Sequence, residues 1–299
     1  MRVAVTGANG FLGGNLLRTL SGAGMMVTAL TRDARALVTA EASGITVRET
    51  DYTAVSITDW MSGQDAVVHL GGRRMARTDA PREIGPFLEP NLALTERVAA
   101  AAVTAGVGRV IFASTTAVYS ALDAVPFAET QVPHPINAYG LSKLMGEQII
   151  ELICRGTKTT AVSLRFSALF GTGERTTGVL MRFVSEAAAG RDIVMSGNPR
   201  YGVDQLYVED AACAIVAALT SPTASGVYNV GGGRAWTVAE MAEAVAATCA
   251  RPVSIRQEDS HDGPVPKPFM AIDKAARDLA WSPKFDLVSG LATMAGGAP

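Results

Sequence analysis

Apolar and polar positions along the first 165 residues switch between two periods. Short β-branched or aliphatic runs at Arg2–Val5, Met25–Thr31, Ile45–Glu49, Asp65–Leu70, Arg109–Ser114 and Thr159–Arg165 suit strands buried on both faces. Between them lie segments with apolar residues at helical spacing. These are "FLGGNLLRTL" from Phe11, "PNLALTERVAAAAVTAG" over Pro90–Gly106, and "NAYGLSKLMGEQIIELI" over Asn137–Ile153, with Asn137 placed as N-cap. Strand–helix alternation with short turns predicts a parallel sheet covered on both faces, the doubly wound α/β class. After Arg165 the pattern loosens. Helical pieces at Val179–Ala189 and Thr237–Thr248 are interrupted by loops such as Glu258–Pro268, and "GVYNVGG" (Gly226–Gly232) reads as a strand able to rejoin the main sheet.

The first strand runs directly into "VTGANGFLGG" (Val5–Gly14) and then a helix. In that context Gly7, Gly10 and Gly13 let the backbone approach a dinucleotide's pyrophosphate, whose charge meets the free N–H groups of the helix. Asn9, Phe11 and Leu12 complete the turn. The expected organisation is a dinucleotide-binding domain over 1–167, rejoined near 204–232, and a smaller, irregular substrate-binding lobe over 168–299 at the sheet's C-terminal edge.

Composition removes other classes. Apolar residues make up 48% and charged residues 18% of 299, which indicates a globular chain with a large core. A net charge of −2 argues against a nucleic-acid partner. Cys154, Cys213 and Cys249 lack metal-ligand spacing, and the histidines are limited to His69, His134 and His261, so no metal is expected. No leader precedes the first strand, and no apolar stretch nears the ~20 residues of a membrane span. A soluble, cytoplasmic enzyme of a small-molecule substrate is the expectation.

Four further stretches follow the glycine turn in order: "FASTTAVY" (Phe112–Tyr119), "PFAETQVPHPINAYGLSK" (Pro126–Lys143), "SLRFSALFG" (Ser163–Gly171) and "DQLYVEDAACAI" (Asp204–Ile215). The ordered set resembles the extended short-chain dehydrogenase/reductase family of NAD(P)-dependent epimerases and dehydratases. Tyr139 and Lys143, four apart, share one helix face. A free tyrosine titrates near ~10, and a neighbouring ammonium favours the phenolate. The resemblance implies that Tyr139 is the acid/base, that Lys143 also holds the nicotinamide ribose, and that Thr115, or its neighbour Ser114, holds the reacting oxygen. It further implies cofactor contacts at Leu70, Gly71, Gly72, Asp51, Tyr52 and Asn91; for Asp51 and Asn91 a helix cap is the alternative. Arg73 and Arg74 are placed to reach phosphates or substrate. A homodimer through the Pro90–Gly106 and Asn137–Ile153 helices is also implied.

At the end of the second strand the acid expected for NAD falls on Thr31, with Arg32 next, so NADP(H) is expected over NAD(H); a one-residue shift to Asp33 would restore a carboxylate. Thr116 and Ala117 stand where dehydratases carry an acidic pair, which argues against dehydration. The leading expectation is reduction of a keto group on a sugar or nucleotide-sugar. Alternatives are an NAD-dependent nucleotide-sugar epimerase, a free-sugar or uronate dehydrogenase, and a non-catalytic NADP(H) sensor. In the substrate lobe, Ala168 replaces the family asparagine, and the two expected arginines fall on Val203 and near His261 and Asp262. Arg175, Arg182 and Arg200 are the compensating candidates, and Thr116 is a further substrate-binding candidate.

Overall fold

Twelve strands are present among the residues that the computed structural model describes: 1–76, 78–174, 178–249, 251–259 and 265–296. They are β1 (Arg2–Thr6), β2 (Met26–Thr31), β3 (Thr46–Glu49), β4 (Ala66–His69), β5 (Arg109–Thr115), β6 (Thr160–Phe166), β7 (Ala168–Phe170), β8 (Ile193–Met195), β9 (Gly202–Tyr207), β10 (Gly226–Val230), β11 (Ala235–Thr237) and β12 (Ile255–Gln257). Seven form one parallel sheet in the order β10-β6-β5-β4-β1-β2-β3. As expected from its apolar run, β10 returns to the main sheet, with Gly226 opposite Val162 and Val230 opposite Phe166.

The helices follow as α1 (Phe11–Gly22), α2 (Val38–Ala42), α3 (Ala54–Met61), α4 (Gly85–Phe87), α5 (Leu94–Thr104), α6 (Ala138–Cys154), α7 (Val179–Ala188), α8 (Val208–Thr220), α9 (Val238–Thr248), α10 (Asp273–Leu279) and α11 (Leu287–Gly296). Successive strand residues divide between two cores, as the period-2 pleat requires. Val3, Val5, Val68 and Ile111 pack with Leu16, Leu20 and Ile215 of α1 and α8. Ala4, Val67, Val110 and Phe112 pack with Ile57, Val98 and Ile150 of α3, α5 and α6. A third core of Phe170, Phe183, Met241, Val245 and Leu287 lies under α7, α9 and α11.

One expected helix is modified. The Pro90–Gly106 segment opens with a wide turn over Leu88–Ala93 before regular α5, because Pro90 has no N–H to join the ladder. Asn137 caps α6 as expected, its side chain accepting from the Gly140 N–H at 2.8 Å.

Helix α1 packs tightly on the turn that precedes it. A Cβ at Gly13 would lie 2.3 Å from the Gly7 carbonyl oxygen, whereas one at Gly14 meets nothing within 4 Å. Gly13→Ala is therefore expected to destabilise the fold by about 1–3 kcal/mol in urea denaturation, while Gly14→Ala is neutral or stabilising by up to about 1 kcal/mol. Equal effects at both positions would refute this account of the turn.

Candidate active site

A cleft of about 400 Å³ opens at the C-terminal ends of β1, β4, β5 and β6. Gly7 has φ +68°, and a Cβ there would come within 2.7 Å of the Gly71 nitrogen, so the turn after β1 lies directly on the backbone that follows β4. Gly10 is the N-cap of α1. No side chain closes on that helix end, and its first turn carries no acidic residue. Phe11, Leu12 and Gly13 line the cleft there, so the first-turn N–H groups lack a side-chain acceptor. An uncapped helix end with glycines before it fits the pyrophosphate of a dinucleotide.

At the end of β2, Thr31 is buried and Arg32 is exposed. The Asp33 carboxylate accepts from the Arg35 N–H at 3.0 Å and pairs with Arg35 Nε at 2.9 Å, which holds it below the ordinary carboxylate range. Asp51 is not the cap of α3, which is Thr53; it supports that cap, accepting from Thr53 N at 3.0 Å, Thr53 Oγ1 at 2.9 Å and Ser56 Oγ at 2.7 Å. Tyr52, with φ +58°, donates its hydroxyl to the Leu30 carbonyl at 2.8 Å. Asn91 is not an N-cap; it sits inside the wide turn before α5. Its Oδ1 accepts from Arg73 N at 2.6 Å, and its Nδ2 donates to Arg73 O at 3.0 Å and to Ser142 Oγ at 2.8 Å, clamping the segment after Gly72 to α6. Asn9, Arg32, Asp51, Tyr52, Gly71 and Asn91 thus lie outside the cleft lining, while Leu70 and Gly72 line it.

Helix α6 brings the reacting groups together. A Cβ at Gly140 would sit 2.1 Å from the Ala117 carbonyl oxygen, so the first turn of α6 abuts the loop after β5. That contact brings Tyr139 to the end of β5, where Thr115 Oγ1 accepts from Ala117 N at 3.2 Å. Ser114 instead donates to the Glu147 carboxylate, which is buried with Arg165 at 2.9 Å to Nε and 2.7 Å to Nη2. The two hydroxyls that the sequence leaves as rivals therefore have separate partners. Lys143 is buried, with Nζ 4.1 Å from the centre of the Phe112 ring; burial pushes its ammonium down to about 7, with Glu147 opposing. Burial pushes the Tyr139 phenol up, while Arg74 and Thr115 pull it back. Beneath them His69 is pushed down to about 3 by burial and then by Lys143, so it is a neutral bridge between Thr6 Oγ1 at 2.7 Å and Thr95 Oγ1 at 3.0 Å.

Arg73, Arg74, Thr116 and Ala168 also line the cleft. Thr116 and Ala168 form its border with a second cavity of about 200 Å³, lined among others by Tyr119, Tyr201, Val203 and Asp204. Arg74 spans the cleft mouth to Glu174 at 3.2 Å. Arg200 is exposed and lines neither cavity, and Arg175, His261 and Asp262 lie outside the described residues. Sequence reading missed Ala113, Phe166, Ser167 and Leu169 as lining residues. For Phe166, Ser167 and Leu169 the signal was the break between β6 and β7 at Ser167, where the chain turns along the cleft wall. Among the described residues there is no metal-ligating cluster, and no helix is long and apolar enough to cross a membrane.

The model of the NAD dependent epimerase/dehydratase family matches residues 3–231. The chain belongs to this family. It is 29% identical to a UDP-glucose 4-epimerase of Azospirillum brasilense, over 97% of this chain and 89% of that one. A dTDP-glucose 4,6-dehydratase of an Actinoplanes species is 28% identical over 78% of this chain and 72% of its own. Among solved structures, the UDP-N-acetylglucosamine 4-epimerase from Bacillus cereus superposes with a TM-score of 0.88 at 26% identity, covering 100% of this chain and 98% of that one. MoeE5 in complex with UDP-glucuronic acid and NAD superposes with a TM-score of 0.84 at 26% identity, covering 99% and 98%. An oxidoreductase-type enzyme of the short-chain dehydrogenase/reductase superfamily, anticipated from the motif order, is thereby established.

The depressed Lys143 ammonium carries a stability signature. Its folded value near 7 lies below the ~10.4 of an unfolded lysine, so the unfolded chain holds more protons between these limits and stability rises with pH across them. Below about 7 both states are protonated and the full cost of the buried charge is present. Lys143→Met is expected to stabilise the ligand-free protein at pH 6–7 by on the order of 1–2 kcal/mol and to flatten that rise. Urea denaturation across pH 6–10 checks this; an unchanged slope would contradict the burial argument.

Proposed function

We propose that the protein interconverts epimers of a nucleotide-linked sugar, with NAD retained in the cleft. The observation that carries this is the convergence of Thr115, Tyr139 and Lys143 on one cleft with the uncapped start of α1. The relatives support the epimerase over the keto-sugar reductase expected from the sequence, and NAD over NADP(H): those named above include UDP-sugar epimerases and a complex holding NAD.

When bound, the nicotinamide supplies a hydride acceptor that afterwards serves as donor. The chain's own residues handle the proton. Tyr139, as phenolate, takes the proton of the sugar hydroxyl being oxidised and later returns it to the carbonyl oxygen. Arg74 favours the phenolate electrostatically, and Thr115 holds the same oxygen in place. Thr116 and Ala117 put no carboxyl group after Thr115, which disfavours elimination of water. Exposed Leu141 and Leu152 on α6 suit a homodimer contact.

A second reading, NADPH-dependent reduction of a keto-sugar, is favoured by one observation: Arg32 is exposed beside an Asp33 already paired with Arg35. Denaturing fresh protein, identifying any released nucleotide by mass spectrometry and following UDP-glucose by NMR separates the two. Released NAD with conversion to the C4 epimer supports the proposal, and Tyr139→Phe is then expected to lower turnover about 100-fold or more. An empty protein that prefers NADPH and consumes it with a keto-sugar establishes the reductase instead.

A further inference from the structure

Two segments at the cleft mouth, far apart in the chain, are joined by an ion pair. Arg74 belongs to the segment after β4 and lines the cleft, and Glu174 follows β7. Arg74 Nη1 donates to Glu174 Oε2 at 3.2 Å across a separation of 100 residues. The carboxylate end is 2% exposed, whereas the guanidinium end is 59% exposed. A fully exposed pair contributes almost nothing. With one end withdrawn from water the charge-assisted bond is stronger, and parting it takes that cation away from a buried carboxylate.

Both feet of this bridge are fixed. Asn91 holds the main chain of Arg73, the neighbour of Arg74, at N and at O. On the other side Glu174 N donates to Gly171 O at 3.2 Å, closing a turn in which Gly173 has φ +92°. That turn starts against α8 and α1: a Cβ at Gly171 would lie 2.4 Å from Val208 Cγ1 and 3.5 Å from Phe11 Cζ. Phe11 is the first residue of α1 and lines the cleft, so the Glu174 side is anchored at the helix end that fits a pyrophosphate. The bridge therefore crosses the mouth where the dinucleotide's phosphates are assigned.

We propose that the Arg74–Glu174 pair is a strap that keeps the dinucleotide in the cleft and parts each time a nucleotide enters or leaves. The inference rests on the NAD reading above for the occupant and not on the reaction. Both partners belong to the chain, and their contact needs nothing from the nucleotide. The strap therefore slows entry and exit alike, and it changes the rate of exchange far more than the affinity. Retention suits an epimerisation, in which the cofactor must stay through both half-reactions.

The test is exchange of bound NAD for isotopically labelled NAD, followed by mass spectrometry, with calorimetric affinity for NAD of nucleotide-stripped protein and circular dichroism as the check of folding. If the cleft holds NADP, the same exchange is run with that nucleotide. Glu174→Gln is expected to speed exchange about 10-fold while affinity stays within about 3-fold. Arg74→Met is expected to act by a similar factor, and the double variant by no more than either single change, because each alone removes the strap. Exchange within about 2-fold of the parent in folded Glu174→Gln protein overturns the proposal. So does a double variant equal to the product of the singles, or an affinity that falls as far as exchange rises, which would make the pair a direct nucleotide contact. Exchange is read without turnover, so a strapped protein that forms no epimer removes the epimerase reading alone.

Discussion

The Glu147–Arg165 ion pair is the interaction on which the rest of the site depends. Both side chains are buried, at 6% and 4% exposure, and together they tie α6 to β6 directly beneath the cleft. A buried pair of this kind contributes little net stability, but loss of one partner leaves an uncompensated charge in the core. Here a third charge, Lys143, lies one turn away on the same helix, and Glu147 is the group that opposes its desolvation. Glu147 also receives the Ser114 hydroxyl, while Arg165 donates to the Tyr119 phenol at 2.7 Å and so reaches the wall of the second cavity. One carboxylate thus orders the strand end, the helix and the ammonium at once.

The cost of that arrangement falls on the ligand-free protein. Lys143 is kept where water is scarce, and Tyr139 is held neutral by burial until positive charge is brought near it. Burial favours the uncharged form of both groups, and the charges of Glu147 and Arg74 oppose it.

Much of this was legible in the sequence because period and punctuation agree. The β-branched runs, the glycine turn before an amphipathic helix and the Tyr–Lys spacing each carry a local physical signal, and all seven sheet strands fall within a residue or two of the apolar runs. What was not legible depends on side-chain direction. Asp33 and Asp51 look like cofactor acids until their oxygens are seen on Arg35 and on the start of α3. Asn91 looks like a cap until the wide turn around Pro90 swings it toward Arg73. Ser167 lies within "SLRFSALFG" but no rule of spacing singles it out; a strand break places it on the cleft wall, its hydroxyl buried without a hydrogen-bond partner.

Because β10 completes the sheet against β6, the first 166 residues do not contain the full seven-stranded layer. During synthesis β6 must wait as an open edge, with its outer hydrogen-bonding groups unpaired, until residues near 230 have left the ribosome. Parallel pairing also requires that the intervening segment, β7 to β9 and α8 included, first find its path over the sheet. The interval between these two events is the time in which the nascent chain is most exposed to pairing with a neighbour. A shorter polypeptide ending after Phe166 would carry that exposed edge permanently.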